Sequence, residues 1–383
     1  MSIDFEIPAE AKAIREKVRR WVHDECIPAE KELDSKPFDE VLGKLRAKAR
    51  AQGLWCPFVP KEYGGMGLGP LANALVQMEL GESMLGALSM NTQGPDDASM
   101  MTILEHGTPY QKEKFLKPLL NGEKRICFSM TEKAAGADAT GMQTSAVKDG
   151  NENYVLNGEK WFSSSASVAN LALVMAKTDP NAPRHKQYST FIVELPNPGY
   201  RIKRNIKNMA IEGPHYDKVA GGHSEIEIRD LKVPADNLLG GEGNGFAMGQ
   251  HRLAYGRLRH GMHNIAKAQR ALDMAVAHIT KRSTFGVLLA DRQARPIPRL
   301  FVPITYCSDF RAGQGEQVPQ VLAAHQPRAD DAEPQLPRSS GAFAHDVPIT
   351  WLVPCATRTA CLFRRDIASG RAWQARSCLR PSP

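Results

Sequence analysis

The residues best suited to chemistry fall between Phe128 and Ser163. Phe128, Met130 and Thr131 lie on one strand-and-turn stretch and Trp161 and Ser163 on another, so the two offer backbone amides, hydroxyls and flat apolar walls together. Such a set suits a planar ligand with one hydrogen-bonding edge and one apolar face. Taken singly, Phe128 and Trp161 would serve equally well as ordinary core. Other chemistry-bearing clusters carry less. The run Gly64-Gly65-Met66-Gly67-Leu68-Gly69 follows no strand pattern and lacks the Lys-Ser/Thr of a phosphate cradle, so it reads as a connecting loop. His251, His260 and His263 are spaced nine and three residues apart, and a metal pair from the last two would need ligands the sequence does not supply. They read as surface histidines, and no metal site is expected. The seven cysteines are scattered, with no C-x-x-C, which fits a reducing cytoplasm.

The chain that must hold these residues has 383 positions, 42% apolar and 24% charged, enough for two or three domains with cores of their own. No apolar run approaches the roughly 18 residues that span a bilayer, and the opening segment alternates charged and apolar residues as an amphipathic helix does. A cytoplasmic protein with neither membrane nor nucleic acid as partner is expected. The net charge of +7 is unevenly spread: residues 1–294 hold 38 Lys+Arg against 35 Asp+Glu, whereas residues 295–383 hold 11 Arg, no Lys and seven acids. That last stretch also contains 11 of the 26 prolines and four of the seven cysteines. Two compositions meet near Ala294.

Ala13, Ile14, Val18, Trp21 and Val22 recur at helical spacing, and a second helical region is expected from about Leu71 to Leu120. From about Arg125 the period shortens. Thr144–Val147, Tyr154–Leu156, Leu171–Lys177, Thr190–Leu195 and Ser224–Ile228 read as strands separated by Asp-Gly, Asn-Gly and proline-bearing turns. A long helix follows, with Met262, Ile265, Ala268, Leu272, Val276 and Ile279 forming an apolar stripe that calls for a bundle. Helices, sheet, helices is an α+β order and not an alternating βαβ one. The expected organisation is an N-terminal α-helical domain (1–124), a middle antiparallel β domain (125–236), the start of a C-terminal helical bundle (237–294) and a Pro/Arg-rich tail (295–383), truncated or disordered.

Several blocks in order carry a family resemblance. Met130-Thr131-Glu132-Lys133-Ala134-Ala135-Gly136-Ala137-Asp138, followed by Tyr154-Val155-Leu156-Asn157-Gly158-Glu159-Lys160-Trp161, resembles the flavin-site signature of acyl-CoA dehydrogenases. Pro60 to Gly67, Gly107-Thr108 with Gln111-Lys112, Val233-Pro234 with Gly240, and Arg282-Ser283-Thr284-Phe285-Gly286 agree with it over residues 5–294. The 130–132 and 256–264 stretches most resemble the branch whose animal members are fused to a kinase-like domain. The resemblance implies an FAD cofactor, an acyl-CoA thioester substrate, an electron-transfer flavoprotein as acceptor and a homo-oligomer, dimer or tetramer, where the bundle is intact. It implies that Phe128, Met130, Thr131, Trp161 and Ser163 face the flavin, that Arg282 and Phe285 reach the adenine-diphosphate half of an FAD on a neighbouring subunit, and that Ala137 and Arg257 lie near the substrate. A guanidinium suits a pyrophosphate. Ala137 departs from the Ser or Thr usual at its position.

In that family a carboxylate takes the α-proton while a hydride leaves Cβ for the flavin, and the base must lie within hydrogen-bonding reach in a dry pocket. Most members supply it from the last helical domain; a minority supply it from the helix before the R-x-x-F-G stretch, where counting back places Gly256, which has no side chain. After Ala294 the helical periodicity ends. Pro296, Pro298, Pro303, Pro319, Pro327, Pro334, Pro337, Pro348 and Pro354 each cost roughly 3 kcal/mol inside a helix. The loss of lysine beside arginine, proline and cysteine enrichment is what an out-of-frame reading of a GC-rich gene gives. None of Asp309, Glu316, Asp330, Asp331, Glu333, Asp346 or Asp366 has the family's local context for the base, so an acyl-CoA dehydrogenase of impaired activity is expected. An acyl-CoA oxidase or flavin monooxygenase of the same fold, or a non-catalytic acyl-CoA-binding protein, are the alternatives.

Overall fold

A computed structural model describes residues 6–207 and 221–292, together with the backbone of three short strands further on, 351–354, 360–364 and 374–378. Contacts divide the chain into two units, residues 1–293 and 294–383.

The first unit begins with helices. Ala9–Trp21 turns Val18 and Trp21 inward, and Phe38–Ala51 presents Val41, Leu45 and Ala49 to the same core, completed by Val76 and Leu80 of helix Pro70–Leu80. The expected helical region from Leu71 to Leu120 is broken into pieces: Pro70–Leu80, Gly86–Ser89, Asp96–His106 and an unbroken helical run over 109–120 that is π-wound at 112–116. Gly81, at the end of the first piece, lets the long helix pass close by: a Cβ there would sit 2.6 Å from the Cα of His263. Thr108 starts the last stretch with a capping box, its hydroxyl and the side chain of Gln111 each taking up one orphan donor. The glycine run is a plain connection. The amides of Gly65, Met66, Gly67 and Leu68 are spent on the carbonyls of Pro60, Cys56, Val59 and Pro57, which leaves none of these four for a phosphate.

The middle sheet runs β6-β7-β3-β2-β4-β5-β8, with β1 paired to β4 off that path. Its strands are β1 Ile126–Ser129, β2 Ser145–Asp149, β3 Asn153–Ser164, β4 Leu171–Lys177, β5 Tyr188–Glu194, β6 Tyr200–Asn205, β7 His223–Pro234 and β8 Leu238–Leu239. The expected antiparallel domain is thus mixed: β1 lies parallel to β4, Ile126 opposite Leu171 and Phe128 opposite Leu173. The cause is visible in the side chains. β4 is buried along six of its seven residues, the near-continuous apolar run of a strand covered on both faces.

The long helix, Gly245–Ile279, follows β8. Its first half packs on the sheet and on helices Asp96–His106 and Pro70–Leu80, burying Met248, Gly249, Arg252, Arg259 and Ala266. The expected apolar stripe of its second half is largely uncovered, with Val276 42% and Ile265 and Ile279 each 37% exposed. A hairpin, β9 Ser283–Thr284 and β10 Val287–Leu288, turns through Phe285 and Gly286, both at positive φ as a two-residue turn of this type requires. The second unit contributes an antiparallel three-stranded sheet, β11 Trp351–Pro354, β12 Ala360–Arg364 and β13 Gln374–Cys378. The rest of the expected tail, and all its acidic residues, lies outside the described residues.

Candidate active site

Where β1 ends, its chain meets β3. The Trp161 amide donates to the Thr131 carbonyl at 2.7 Å, so the two stretches the sequence singled out are bonded to each other. Beneath them lies a buried charge. Tyr154, Leu156 and Lys160 fall on the inward face of β3, and Lys160 is 0% exposed. Its ammonium donates to the Met130 carbonyl at 3.0 Å and to Glu132 Oε1 at 2.9 Å. Glu132 also accepts from the amides of Gln143 at 2.6 Å and Thr144 at 2.9 Å. Burial pushes Lys160 down to about 8, while Glu132 offsets part of that. Burial acts to raise Glu132, but the Lys160 charge and the two amides outweigh it and hold the carboxyl below the usual range. Both groups are charged at neutral pH. Gly158 lets β3 pass this point: at φ +152°, a Cβ there would lie 2.5 Å from the Thr144 hydroxyl.

One expected contact is turned away. The pairing of β3 with β7 shifts between Lys160 and Ser163, and Phe162 sits at φ 56°. A bulge of this kind changes which residues face out. Ser163 is 1% exposed, with its hydroxyl 2.9 Å from that of Ser129, which is in turn 2.7 Å from the Tyr200 hydroxyl. Ser163 therefore supports the platform from below, and the residue presented outward is Phe162, 46% exposed and edge-on to Trp161 at 5.8 Å. Met130 is nearly buried, and Thr131 and Trp161 are half-buried beside it. No described residue accepts a hydrogen bond from the Thr131 amide.

The helices close the other side. Arg252 lies 3.9 Å from the Phe128 ring centroid, its guanidinium donating to the Ser99 hydroxyl at 3.0 and 3.2 Å and to the Pro95 carbonyl at 3.1 Å. Burial pushes it down to about 10. Two turns on, Arg259 pairs with Asp97, both nearly buried, and burial raises the Asp97 carboxyl despite that partner. A groove runs past this pair, lined by Phe58, Asn73, Ala74, Gln77, Met101, Tyr255, Leu258 and Met262. Gly256 lies one turn beyond Arg252, on the same face of the helix, and a Cβ there would meet no heavy atom within 4 Å. Arg257 and Ala137 are exposed. Arg282 and Phe285 sit on the hairpin, the phenyl ring 96% exposed. His263 departs from the expected surface histidines: it is half-buried, with Nε2 2.9 Å from Gln77 Oε1.

The structure thus brings Phe128, Met130, Thr131, Trp161 and Ser163 together, and no described contact joins Arg282, Phe285, Arg257 or Ala137 to that cluster. Lys160, Arg252 and the Asp97–Arg259 pair went unassigned in the sequence. A signal existed for Lys160, since a lysine in phase with Tyr154 and Leu156 must point inward and needs an acid.

Family comparisons bear on this geometry. Residues 8–123 match the acyl-CoA dehydrogenase N-terminal domain, residues 127–220 the middle domain and residues 243–295 the C-terminal domain. The probable acyl-CoA dehydrogenase FadE2 of Mycobacterium tuberculosis is 35% identical over 303 residues, 76% of this chain and 72% of that protein. The chain belongs to the acyl-CoA dehydrogenase family. Acyl-CoA dehydrogenase family member 11 of Gallus gallus is 38% identical over 287 residues, 70% of this chain. The chain spans only about a third of that relative, 36% of its length. Among solved structures, butyryl-CoA dehydrogenase of Megasphaera elsdenii aligns at TM-score 0.65 and 27% identity, covering 80% of this chain and 78% of that one. A Bacillus anthracis acyl-CoA dehydrogenase complexed with FAD aligns at 0.61 and 29%, covering 75% and 47%. The described fold, helices followed by a mixed sheet and a long helix, is that of the family. The C-terminal match ends at residue 295, where the composition changes. Among the described residues no helix is long and apolar enough to cross a membrane.

Proposed function

We propose that residues up to about 294 form the flavin and thioester platform of an FAD-dependent acyl-CoA dehydrogenase, and that this chain lacks the carboxylate that would start its reaction. The observation that carries the reading is the bonded pair of stretches at Thr131 and Trp161, clamped from beneath by Lys160 and Glu132. The residues fit the cofactor. The Thr131 amide and hydroxyl offer a polar edge, Met130, Trp161 and Phe162 offer apolar surface, and the exposed Arg282–Phe285 hairpin suits a pyrophosphate and adenine held between copies. FAD bound there supplies a two-electron acceptor for the hydrogen lost from the thioester Cβ.

What the chain itself does is bind, orient and exclude water. Phe128, stacked on Arg252, closes the inner wall, and the groove beside Tyr255 and Leu258 receives the acyl chain. Deprotonation at Cα needs a carboxylate aimed at that carbon, and the position open to the long helix is Gly256. With the stripe from Met262 to Ile279 uncovered, weak FAD retention and poor solubility follow. The electron acceptor of an intact version would be an electron-transfer flavoprotein, and its assembly a dimer or tetramer.

An absorbance spectrum with added FAD and acyl-CoA separates the readings. Flavin bands that bleach slowly or not at all under argon support an impaired dehydrogenase. Rapid reoxidation in air after bleaching points to an oxidase, and a protein that never takes up flavin points to an acyl-CoA-binding role. A genomic or transcript read showing one continuous frame through codon 294 would sink the out-of-frame account of the tail.

A further inference from the structure

The end of helix Asp96–His106 carries Glu105 and His106, and the long helix brings His251 against them from a different part of the chain. His251 Nδ1 lies 3.1 Å from Glu105 Oε2, and His106 Nε2 lies 3.8 Å from the same oxygen. All three ligand atoms fall within 4.8 Å of one another. Around a tetrahedral zinc ion with bonds of roughly 2.0–2.2 Å, neighbouring donor atoms are about 3.3 Å apart, so the two distances bracket what one ion needs.

A second observation concerns orientation. Glu105 Oε1 accepts a hydrogen bond from the Tyr255 hydroxyl at 3.0 Å, which leaves Oε2 aimed at the two imidazoles. Tyr255 stands one turn after His251, its ring 5.3 Å from the imidazole in an edge-on contact. Partners of this kind, which fix a ligating group through its other atom, are what metal ligands usually have. The helix C-terminus adds its negative partial charge at the same place.

We propose that Glu105, His106 and His251 bind one divalent transition-metal ion, zinc foremost, with water completing the coordination. Two nitrogens and one oxygen suit zinc better than calcium or magnesium, which prefer all-oxygen sets. The ion would clasp helix Asp96–His106 to the long helix. Because Tyr255 also lines the groove, it would fix that wall as well. Sequence spacing could not show this, since the ligands come from two helices 145 residues apart in the chain, His106 to His251. The site stands apart from the flavin reading and does not depend on it.

The test uses the full chain, stripped with chelator and titrated with Co(II) as a visible probe, then with Zn(II) in competition. One saturable site per chain is expected, together with a higher melting temperature. His106→Ala and His251→Ala should each weaken binding about 100-fold, and Tyr255→Phe about 10-fold, the order seen for outer-shell partners. His278→Ala, an exposed histidine elsewhere on the long helix, should change nothing. The proposal fails if Co(II) gives no saturable site, or if binding persists undiminished in the His106→Ala/His251→Ala double variant, which would leave an imidazole–carboxylate ion pair and nothing more.

Discussion

Beneath the strands, Lys160 and Glu132 hold each other in burial with the amides of Gln143 and Thr144 donating to the carboxylate; along the long helix, Arg252 donates only to neutral oxygens and Asp97 is raised even with Arg259 beside it. The strand-built half of the site is closed by hydrogen bonds within residues 128–164 and to the neighbouring strands β6 and β7, all inside one sheet domain. The helix-built half draws its partners from segments far apart, Asp97 with Arg259 and Gln77 with His263, and its outer face is uncovered beyond Met262. A composition change near residue 294 would therefore leave the first half intact and weaken the second.

Breaking the clamp should produce the largest effect. Lys160→Met strands the Glu132 carboxylate in the core, at a cost of about 3–5 kcal/mol, and should lower the melting temperature by roughly 10 °C or more. Flavin uptake should be lost with it, because the Met130 carbonyl loses its donor. Adding Glu132→Gln should restore much of the stability, since removing both charges is far cheaper than removing one. If Lys160→Met melts with the parent, the clamp contributes nothing and the contrast between the halves disappears.

Asp97→Asn tests the helical half. It removes a charge-assisted hydrogen bond from buried Arg259, worth about 1.5–3 kcal/mol, less than the clamp because burial already disfavours the Asp97 carboxylate. FAD titration should give an unchanged affinity. A drop matching that of Lys160→Met would show that the two halves are coupled.

Next in size comes a pH effect. Burial, then the charges of Arg259, Lys267 and His260, push His263 down to about 3 from 6.5. The unfolded chain then binds more protons than the folded one between those values, so stability falls as pH drops through 6.5 toward 3. At pH 5 this amounts to about 2 kcal/mol. His263→Gln, which can still donate to Gln77, should flatten urea-derived stability between pH 7 and 5; an equally steep loss would assign the acid sensitivity elsewhere.

How much of this was legible differs between the same two regions. β4 and β5 were legible from their apolar runs, and the meeting of the Thr131 and Trp161 stretches was legible from motifs local in the sequence, their contact with a flavin being what is proposed. The orientation of Ser163 was not, because one bulged residue in β3 reverses the faces and leaves no mark in composition. On the helical side, spacing placed the stripe but could not show that Gly81 meets His263, or that His251 meets Glu105, since such contacts depend on how helices cross. The parallel partnership of β1 with β4 was hidden for the same reason: a pairing between strands 45 residues apart, Ile126 with Leu171, has no local signature.

The smallest stability change belongs to Gly256→Glu, and it bears most directly on the proposal that this chain lacks a base. Glycine inside a helix costs up to about 1 kcal/mol relative to a good helix former, and no heavy atom lies within 4 Å of a Cβ at this site, so the variant should be slightly more stable than its parent. Helical side chains lean toward the N-terminus, so the new carboxylate would extend over Arg252, whose guanidinium is stacked on Phe128. That places an acid where the flavin-side wall meets the groove. With FAD added under argon, Gly256→Glu should bleach on acyl-CoA while the parent stays yellow, and Gly256→Gln, equally helical but without the acid, should behave as the parent does. Equal bleaching in the glutamine variant would mean that helix stiffening, and not proton removal, was what the parent lacked.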